Sequence, residues 1–384
     1  VQRAFDAGRG AWSPFELRLT SRTVDRLAVV WDTEIDAGHP VRSPVAVGDR
    51  IAATADGVAA GLDVRTGARS WRQELTGSVS PDVSLSPPTY IDGWLFIPWS
   101  CCRPDVAGWF WLRLGNGEMG EGPEIGPPVF PTVTDAAVAN GLLATSSVHN
   151  SFPEPPAPGT VGIDWTHNVL AFPSDEAQPA RVFAIVDDAI QWTYGTFAQS
   201  FGPECLPSTD PRFTCVPDWR TDLGALPTAP AGMDHHSVVY GDDSGTVTVL
   251  DVASGRDIWR AELGVPVTAG PVVARGMILV ATNDDRLVAL RAAGCGSAVC
   301  SPAWQAHLDG TSTALAAGGD VIYSATGGTL SAFAIDGCRS HTCPALTTVN
   351  AGAAISGGPV IHRGRVLVGT TDGRLIAFGL PASP

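Results

Sequence analysis

The sequence predicts an all-β fold: an eight-bladed β-propeller of four-stranded antiparallel blades, closed by its N-terminal strand. Three observations carry that expectation. A motif of apolar strand, turn and second apolar strand recurs at near-constant spacing along the chain. A Trp recurs at the same late place in several of the units. The 43 Gly and 31 Pro among 384 residues disfavour long helices, because both residues penalise helix interiors.

The motif runs from a small or proline residue to an apolar residue seven positions on. It starts at Pro44, Pro88, Asp135, Val182, Pro230, Pro271, Ala314 and Pro359, at successive intervals of 44, 47, 47, 48, 41, 43 and 45 residues. The copies at Val182 and Pro230 match less well, and a seven-bladed ring stands as the alternative count. After the second strand comes a tight turn, as at Asp56-Gly57, Asp284-Asp285, Gly327-Gly328 and Asp372-Gly373. These residue types tolerate the positive φ of short hairpins. A third, alternating strand follows (LVALR, LIAFG), then a turn and a Trp-bearing strand, as in DVRTGARSW and DVASGRDIW.

Trp31, Trp71, Trp219, Trp259 and Trp304 occupy this repeated place. A repeated position reads as packing between blades rather than as a ligand platform. A single blade cannot bury both faces; blades packed side by side can. The last unit supplies only three strands before the chain ends, and Leu27-Ala-Val-Val-Trp31-Asp has no blade of its own. That segment is expected to complete the last blade, joining the two ends of the chain and removing two sheet edges. The domain expectation is therefore a lead-in over residues 1–26 and one propeller over 27–384.

The eight cysteines fall into local pairs: Cys101 with Cys102, Cys205 with Cys215, Cys295 with Cys300, and Cys338 with Cys343. Such pairs suit disulfides formed in an oxidising compartment, and zinc is the competing reading of the two C-x4-C spacings. The last two pairs sit at the turn between third and fourth strands, where other units carry Thr-Gly or Ser-Gly. The opening Val-Gln-Arg-Ala has no apolar stretch and reads as a mature end from which a leader has been removed. Secreted, periplasmic or cell-surface location is expected.

The net charge is −15 and every basic residue is Arg. The absence of Lys excludes lysine Schiff-base chemistry and a P-loop lysine. The acidic balance speaks against nucleic acid and anionic membrane surfaces as partners. No run of about 20 apolar residues suggests a transmembrane helix. Asp234-His235-His236 contains metal-ligand types but lies near a first strand, where a polar strand suffices. Asp242-Asp243-Ser244-Gly245 falls where a hairpin turn belongs. The Pro-rich SFPEPPAPGT and the Cys205–Cys215 stretch read as exposed loops, the usual place for function.

The blade signatures GLDVRTGARSW and VLDVASGRDIW resemble the repeat of the pyrroloquinoline quinone (PQQ) enzymes. The run WSPFELRLTSRTVDRLAVVW is similar to the lead-in of quinoprotein-type propellers. The likeness covers nearly the whole chain and implies a propeller. The superfamily holds PQQ-dependent alcohol dehydrogenases and also non-catalytic propellers, such as the lipoprotein scaffold of the outer-membrane β-barrel assembly machine. In the dehydrogenases a ring formed by two adjacent cysteines covers the quinone, which makes Cys101 and Cys102 the candidate cofactor contact. Here the pair follows the second strand of its blade; in the dehydrogenases it precedes it. No catalytic residue and no calcium set carries over. The resemblance thus implies an extracytoplasmic, monomeric scaffold without catalysis or cofactor, binding a protein on one face of the ring. The alternative is a PQQ-dependent alcohol or sugar dehydrogenase holding PQQ and Ca²⁺ in the central channel.

Overall fold

The computed structural model describes residues 12–381 except 76–83, 102, 121–131, 140–141, 149–161, 165–168, 175–179, 187–188, 203–216, 229–231, 234–235 and 313. Among the described residues the regular secondary structure is almost entirely strand, gathered into eight sheets. The first sheet holds Val45–Val47, Arg50–Ala55, Val58–Asp63 and Arg69–Glu74. The second holds Ser84–Leu85, Thr89–Ile91, Trp94–Cys101 and Arg103–Arg113. The third holds Thr132–Ala139, Leu142–Val148, Gly162–Asp164 and Val169–Ser174. The fourth holds Ala180–Val186, Ala189–Tyr194, Phe197–Phe201 and Trp219–Asp222. The fifth holds Gly232–Met233, Ser237–Gly241, Thr246–Asp251 and Asp257–Glu262. The sixth holds Val267–Ala274, Met277–Thr282, Arg286–Arg291 and Trp304–His307. The seventh holds Ala314–Gly318, Val321–Thr326, Thr329–Ala334 and Thr347–Asn350.

The eighth sheet takes strands from both ends of the chain. Ile355–His362, Arg365–Thr370 and Arg374–Gly379 are joined by Ala28–Glu34, with Ala28 opposite Gly379, Trp31 opposite Ala377 and Glu34 opposite Arg374. The strand expected over Leu27–Asp32 is thus the fourth strand of the last unit.

The seven-residue motif marks the first turn of every sheet. Each starting residue lies on, or within two residues of, a first strand, and each end point lies on the second. Short turns with positive φ at Gly57 (72°), Asp285 (60°) and Gly373 (97°) then set the third strand antiparallel to the second. Central strands are buried on both sides: every residue of Met277–Thr282 and of Val321–Thr326 is buried. Continuous apolar runs follow from that burial, since a sheet covered on both faces has no solvent side to alternate toward. Outer strands do alternate, and in Arg69–Glu74 only Trp71 is buried.

Neighbouring sheets pack face to face in chain order. Ala52 and Trp71 meet Leu95 and Ile97, Val247 and Trp259 meet Ile278 and Val288, and Leu279 and Trp304 meet Ile322 and Phe333. Tyr323 and Leu330 meet Val366 and Ile376. Ile51 and Ala53 of the first sheet share a core with Val360, Leu367 and Leu375 of the last.

Three sheets depart from the expected four antiparallel strands; the seventh gains a fifth, Trp12–Ser13, parallel to Ala314–Gly318. In the second, the first strand is broken into Ser84–Leu85 and Thr89–Ile91 around Pro87-Pro88, residues with no N–H for the ladder. No fourth strand follows Arg103–Arg113 among the described residues; an isolated bridge from Leu112 to Met119 takes its place. In the third, Leu142–Val148 pairs parallel with Val169–Ser174, and Gly162–Asp164 lies outside. A two-residue hairpin forces antiparallel pairing. The long Pro-rich insertion after Val148 lets the next partner run in the same direction.

Deleting residues 1–35 removes the fourth strand of the last sheet and exposes the third. Such a chain is expected to lose its cooperative thermal transition. A deletion variant that melts as one transition at the wild-type temperature would refute the structural role of that strand.

Candidate functional site

Each sheet ends in two sets of turns. One end carries the first-to-second and third-to-fourth strand turns, and is termed the clamp face. The other carries the second-to-third strand turns and the links between sheets, and is termed the link face.

The clamp face is named for a contact made by the repeated tryptophans. Trp31 Nε1 donates to the Val64 carbonyl of the next sheet (3.0 Å), Trp71 to Leu114 (2.9 Å) and Trp219 to Val252 (2.9 Å). Trp259 donates to Ala292 (3.1 Å) and Trp304 to Ile335 (3.0 Å). Each accepting carbonyl opens a third-to-fourth strand turn, and a glycine of that turn lies under the indole: Gly67, Gly117, Gly255, Gly294 and Gly337. All five glycines have φ between 65° and 77°. Glycine is needed twice over there, for the left-handed backbone and for the indole: a Cβ on Gly337 would stand 2.7 Å from Trp304. Packing between blades, expected for these tryptophans, is therefore a ring stacked on a glycine turn with its N–H satisfied.

The Asp of each Asp-x-x-Thr/Ser-Gly signature shapes the same turn. Asp63 Oδ1 accepts from the amides of Arg65 and Thr66 and from the Thr66 hydroxyl, at 2.9–3.0 Å. Asp251 Oδ1 accepts from Ser254 through its hydroxyl (2.6 Å) and amide (2.8 Å). The Thr66 amide, then its hydroxyl, hold the Asp63 carboxyl below the usual carboxylate range; the Ser254 hydroxyl, then its amide, do so for Asp251.

In the sixth and seventh sheets, which lack that signature, a disulfide shapes the turn. Cys295 is bonded to Cys300 and Cys338 to Cys343, each between third and fourth strands. The stapled loops also reach the outer strand of the preceding sheet. The Arg260 amide donates to Ala298 and the Cys300 amide to Arg260, both at 2.8 Å; Gln305 pairs likewise with His341 and Cys343. These are parallel bridges, Arg260 to Val299 and Gln305 to Thr342. Closing loops this short contributes about 2 kcal/mol in the chain-entropy picture.

The junction of the seventh and eighth sheets has no such clamp. The eighth sheet has no third-to-fourth strand turn, because those strands come from opposite ends of the chain, and the strand Thr347–Asn350 carries no Trp. Leu19, Val24 and Leu27 of the lead-in fill the place, packed with Ala351, Val366 and Phe378. Trp12–Ser13 pairs parallel with Ala317–Gly318, and Trp12 Nε1 donates to Gly319. The buried Glu16 accepts from the amides of Arg18 (2.7 Å), Leu19 (3.0 Å) and Gly364 (2.7 Å). The Gly364 partner is 348 residues away, so no local pattern in the sequence marks Glu16.

Both faces carry arginines and acids. On the link face Arg42, Arg286 and Arg374 are each paired with an aspartate, Asp56, Asp284 and Asp372. Glu34, Glu74, Asp222 and Glu262 lie exposed near that face, each three residues after its tryptophan. The clamp face carries the exposed Arg18, Arg22, Arg26, Arg256, Arg275 and Arg339 together with the exposed Asp49, Asp92, Asp257 and Asp336, of which Asp336 is paired with Arg275.

Of the residues singled out by sequence, Cys101 ends the second strand of the second sheet, at the link face. Cys102, Cys205 and Cys215 lie outside the described residues, as do Asp234, His235 and the stretch 149–161. Asp242 caps the hairpin turn as expected, with Oδ1 accepting from the amides of Ser244 (2.9 Å) and Thr246 (2.8 Å). Among the described residues no three His, Cys, Asp or Glu side chains group as a metal site. No described helix is long and apolar enough to cross a membrane.

Gly294 and Gly296 separate the indole contact from backbone strain. Both have positive φ, 74° and 80°, but a Cβ on Gly294 would stand 2.8 Å from Trp259, whereas none lies within 4 Å of one on Gly296. Gly296→Ala is expected to cost about 1–2 kcal/mol, the left-handed backbone alone. Gly294→Ala is expected to cost about 1–3 kcal/mol more, the range for overpacking a filled site. Denaturant unfolding of both variants checks this, and equal losses would remove the indole from the explanation.

Residues 210–383 match the family model described as outer membrane protein assembly factor BamB. A BamB of Nitrosomonas eutropha is 28% identical over 173 residues, covering 43% of this chain and 40% of the relative. The matched part thus spans less than half the length of that relative. Among solved structures, the computationally designed Ika8 protein matches with a TM-score of 0.60 at 14% identity, over 90% of this chain and 98% of that one. The quinohemoprotein alcohol dehydrogenase of Comamonas testosteroni matches with a TM-score of 0.52 at 11% identity, over 100% of this chain and 80% of that one. At such identities the two structures speak for the fold alone. Residues 210–383, which include the indole clamps of Trp219, Trp259 and Trp304, are thus similar to the PQQ-like repeat family.

Proposed function

We propose that the chain closes into an eight-bladed ring and serves outside the cytoplasm as a scaffold without catalysis, holding a protein partner on one face. In this reading residues 27–384 are one propeller domain, the protein is a monomer, and neither PQQ nor Ca²⁺ is part of its work. The observation that carries the proposal is the match of residues 210–383 to the model of an outer membrane assembly factor. The packing of the last sheet on the first supports the ring, and the two stapled loops suit an oxidising compartment. Clamped blades make a stiff frame, which suits a docking role because little ordering remains to be done on binding.

A photo-crosslinking amino acid at exposed positions of each face tests the scaffold: Asp243 and Asp309 on the link face, Arg256 and Arg339 on the clamp face. Adducts with a defined protein are expected from one face only. Incubation with PQQ and Ca²⁺, followed by dye-linked oxidation of simple alcohols, is expected to show no turnover. Absence of adducts from both faces, or quinone-dependent turnover, would overturn the proposal.

A further inference from the structure

We propose that the clamp face docks peripherally on an anionic lipid bilayer, with Phe15 and Leu17 entering the interface and Arg18, Arg22 and Arg26 meeting the phosphates. Phe15 and Leu17 are each 82% exposed, the most exposed large hydrophobics among the described residues. Their exposure is enforced by their neighbours. Ser13, Glu16 and Leu19 are buried at every third position, and the Glu16 carboxylate is held by three backbone amides. The segment lies across two turns of the clamp face: Trp12 is bonded to Gly319, Glu16 to Gly364. It therefore cannot roll to hide Phe15 and Leu17 without breaking those bonds.

The same segment supplies the charge. Arg18, Arg22 and Arg26 are exposed and form no ion pair among the described residues, against one exposed acid, Asp25. Asp320 is engaged by Ser21, through its amide (2.9 Å) and hydroxyl (2.6 Å). Apolar side chains protruding among unpaired cations make an interfacial anchor, where burial and attraction to anionic lipid act together. The two side chains protrude rather than line a hollow, which a fluid bilayer accepts and a folded acidic protein would have to match with a pocket.

The net charge of −15 does not oppose this contact at close range. The exposed clamp-face acids Asp49, Asp257 and Asp336 are paired with Arg363, Arg260 and Arg275, while Glu34, Glu74, Asp222 and Glu262 lie toward the other end of their sheets, and a six-residue strand spans roughly 20 Å. Screening at physiological ionic strength acts over about 8 Å, so the bilayer senses the nearer arginines. The proposal is independent of the scaffold reading, and its test involves no protein partner.

Flotation of the full chain with vesicles tests it, using phosphatidylcholine alone or mixed with phosphatidylglycerol. Binding is expected to rise about tenfold with phosphatidylglycerol and to fall about tenfold in Phe15→Ser/Leu17→Ser and in Arg18→Gln/Arg22→Gln/Arg26→Gln. Unchanged circular dichroism and melting verify that these surface variants fold. Phe15→Trp is expected to shift its emission to the blue on the mixed vesicles and to be quenched by brominated lipid. Asp243→Ser/Asp309→Ser, on the opposite face, is expected to leave binding unchanged. Equal binding to both vesicle types, no binding to either, full binding by the two anchor variants, or an unshifted Phe15→Trp would overturn the proposal.

Discussion

An indole resting on a neighbour's glycine turn is the contact on which the described fold depends. A four-stranded blade has two apolar faces and cannot hide both alone, so its stability lies in its interfaces. The repeated tryptophan contributes the largest side chain to those interfaces and hands its N–H to a carbonyl of the next sheet, so that no polar group is left orphaned. The receiving glycine must have positive φ and no side chain. At five junctions one residue of a sheet thus dictates one residue of the next.

That dependence explains the exceptions as well as the rule. Four of the five turns that receive an indole are braced by an Asp cap or by a disulfide, two unrelated devices with one outcome. Where the last sheet is assembled from both ends of the chain, there is no turn to receive a ring. The preceding strand Thr347–Asn350 accordingly lacks Trp, and Leu19, Val24 and Leu27 take over the packing. The lead-in is bound to the sheets by Trp12, Glu16 and Ser21, and it brings the most exposed hydrophobics to the face that also carries the unpaired arginines.

Much of this frame was legible in the residues. The seven-residue motif located the first turn of every sheet, because a short strand and its tight turn are local events. The fourth strand from the N-terminus followed from simple bookkeeping of strands, and the pairs Cys295–Cys300 and Cys338–Cys343 followed from spacing. Long-range and non-repeating features were not legible. Glu16 meets an amide 348 residues away, and Gly117 receives Trp71 within a turn that lacks the Asp-x-x-Thr/Ser-Gly signature. The parallel pair in the third sheet depends on where a long insertion returns, which no periodicity records. The candidate site was less legible than the fold: Cys101, expected just after the second strand, is the last residue of that strand, and Cys102 falls outside the described residues.

A double-mutant cycle between Trp259 and Gly294 measures the clamp most directly. Trp259→Ala, Gly294→Ala and the double variant would be unfolded in denaturant and compared. If the indole rests on that glycine, removing the ring relieves the added methyl, and the two substitutions couple by at least about 1 kcal/mol. Additivity within about 0.5 kcal/mol would contradict a direct contact and with it the explanation of how neighbouring blades are held.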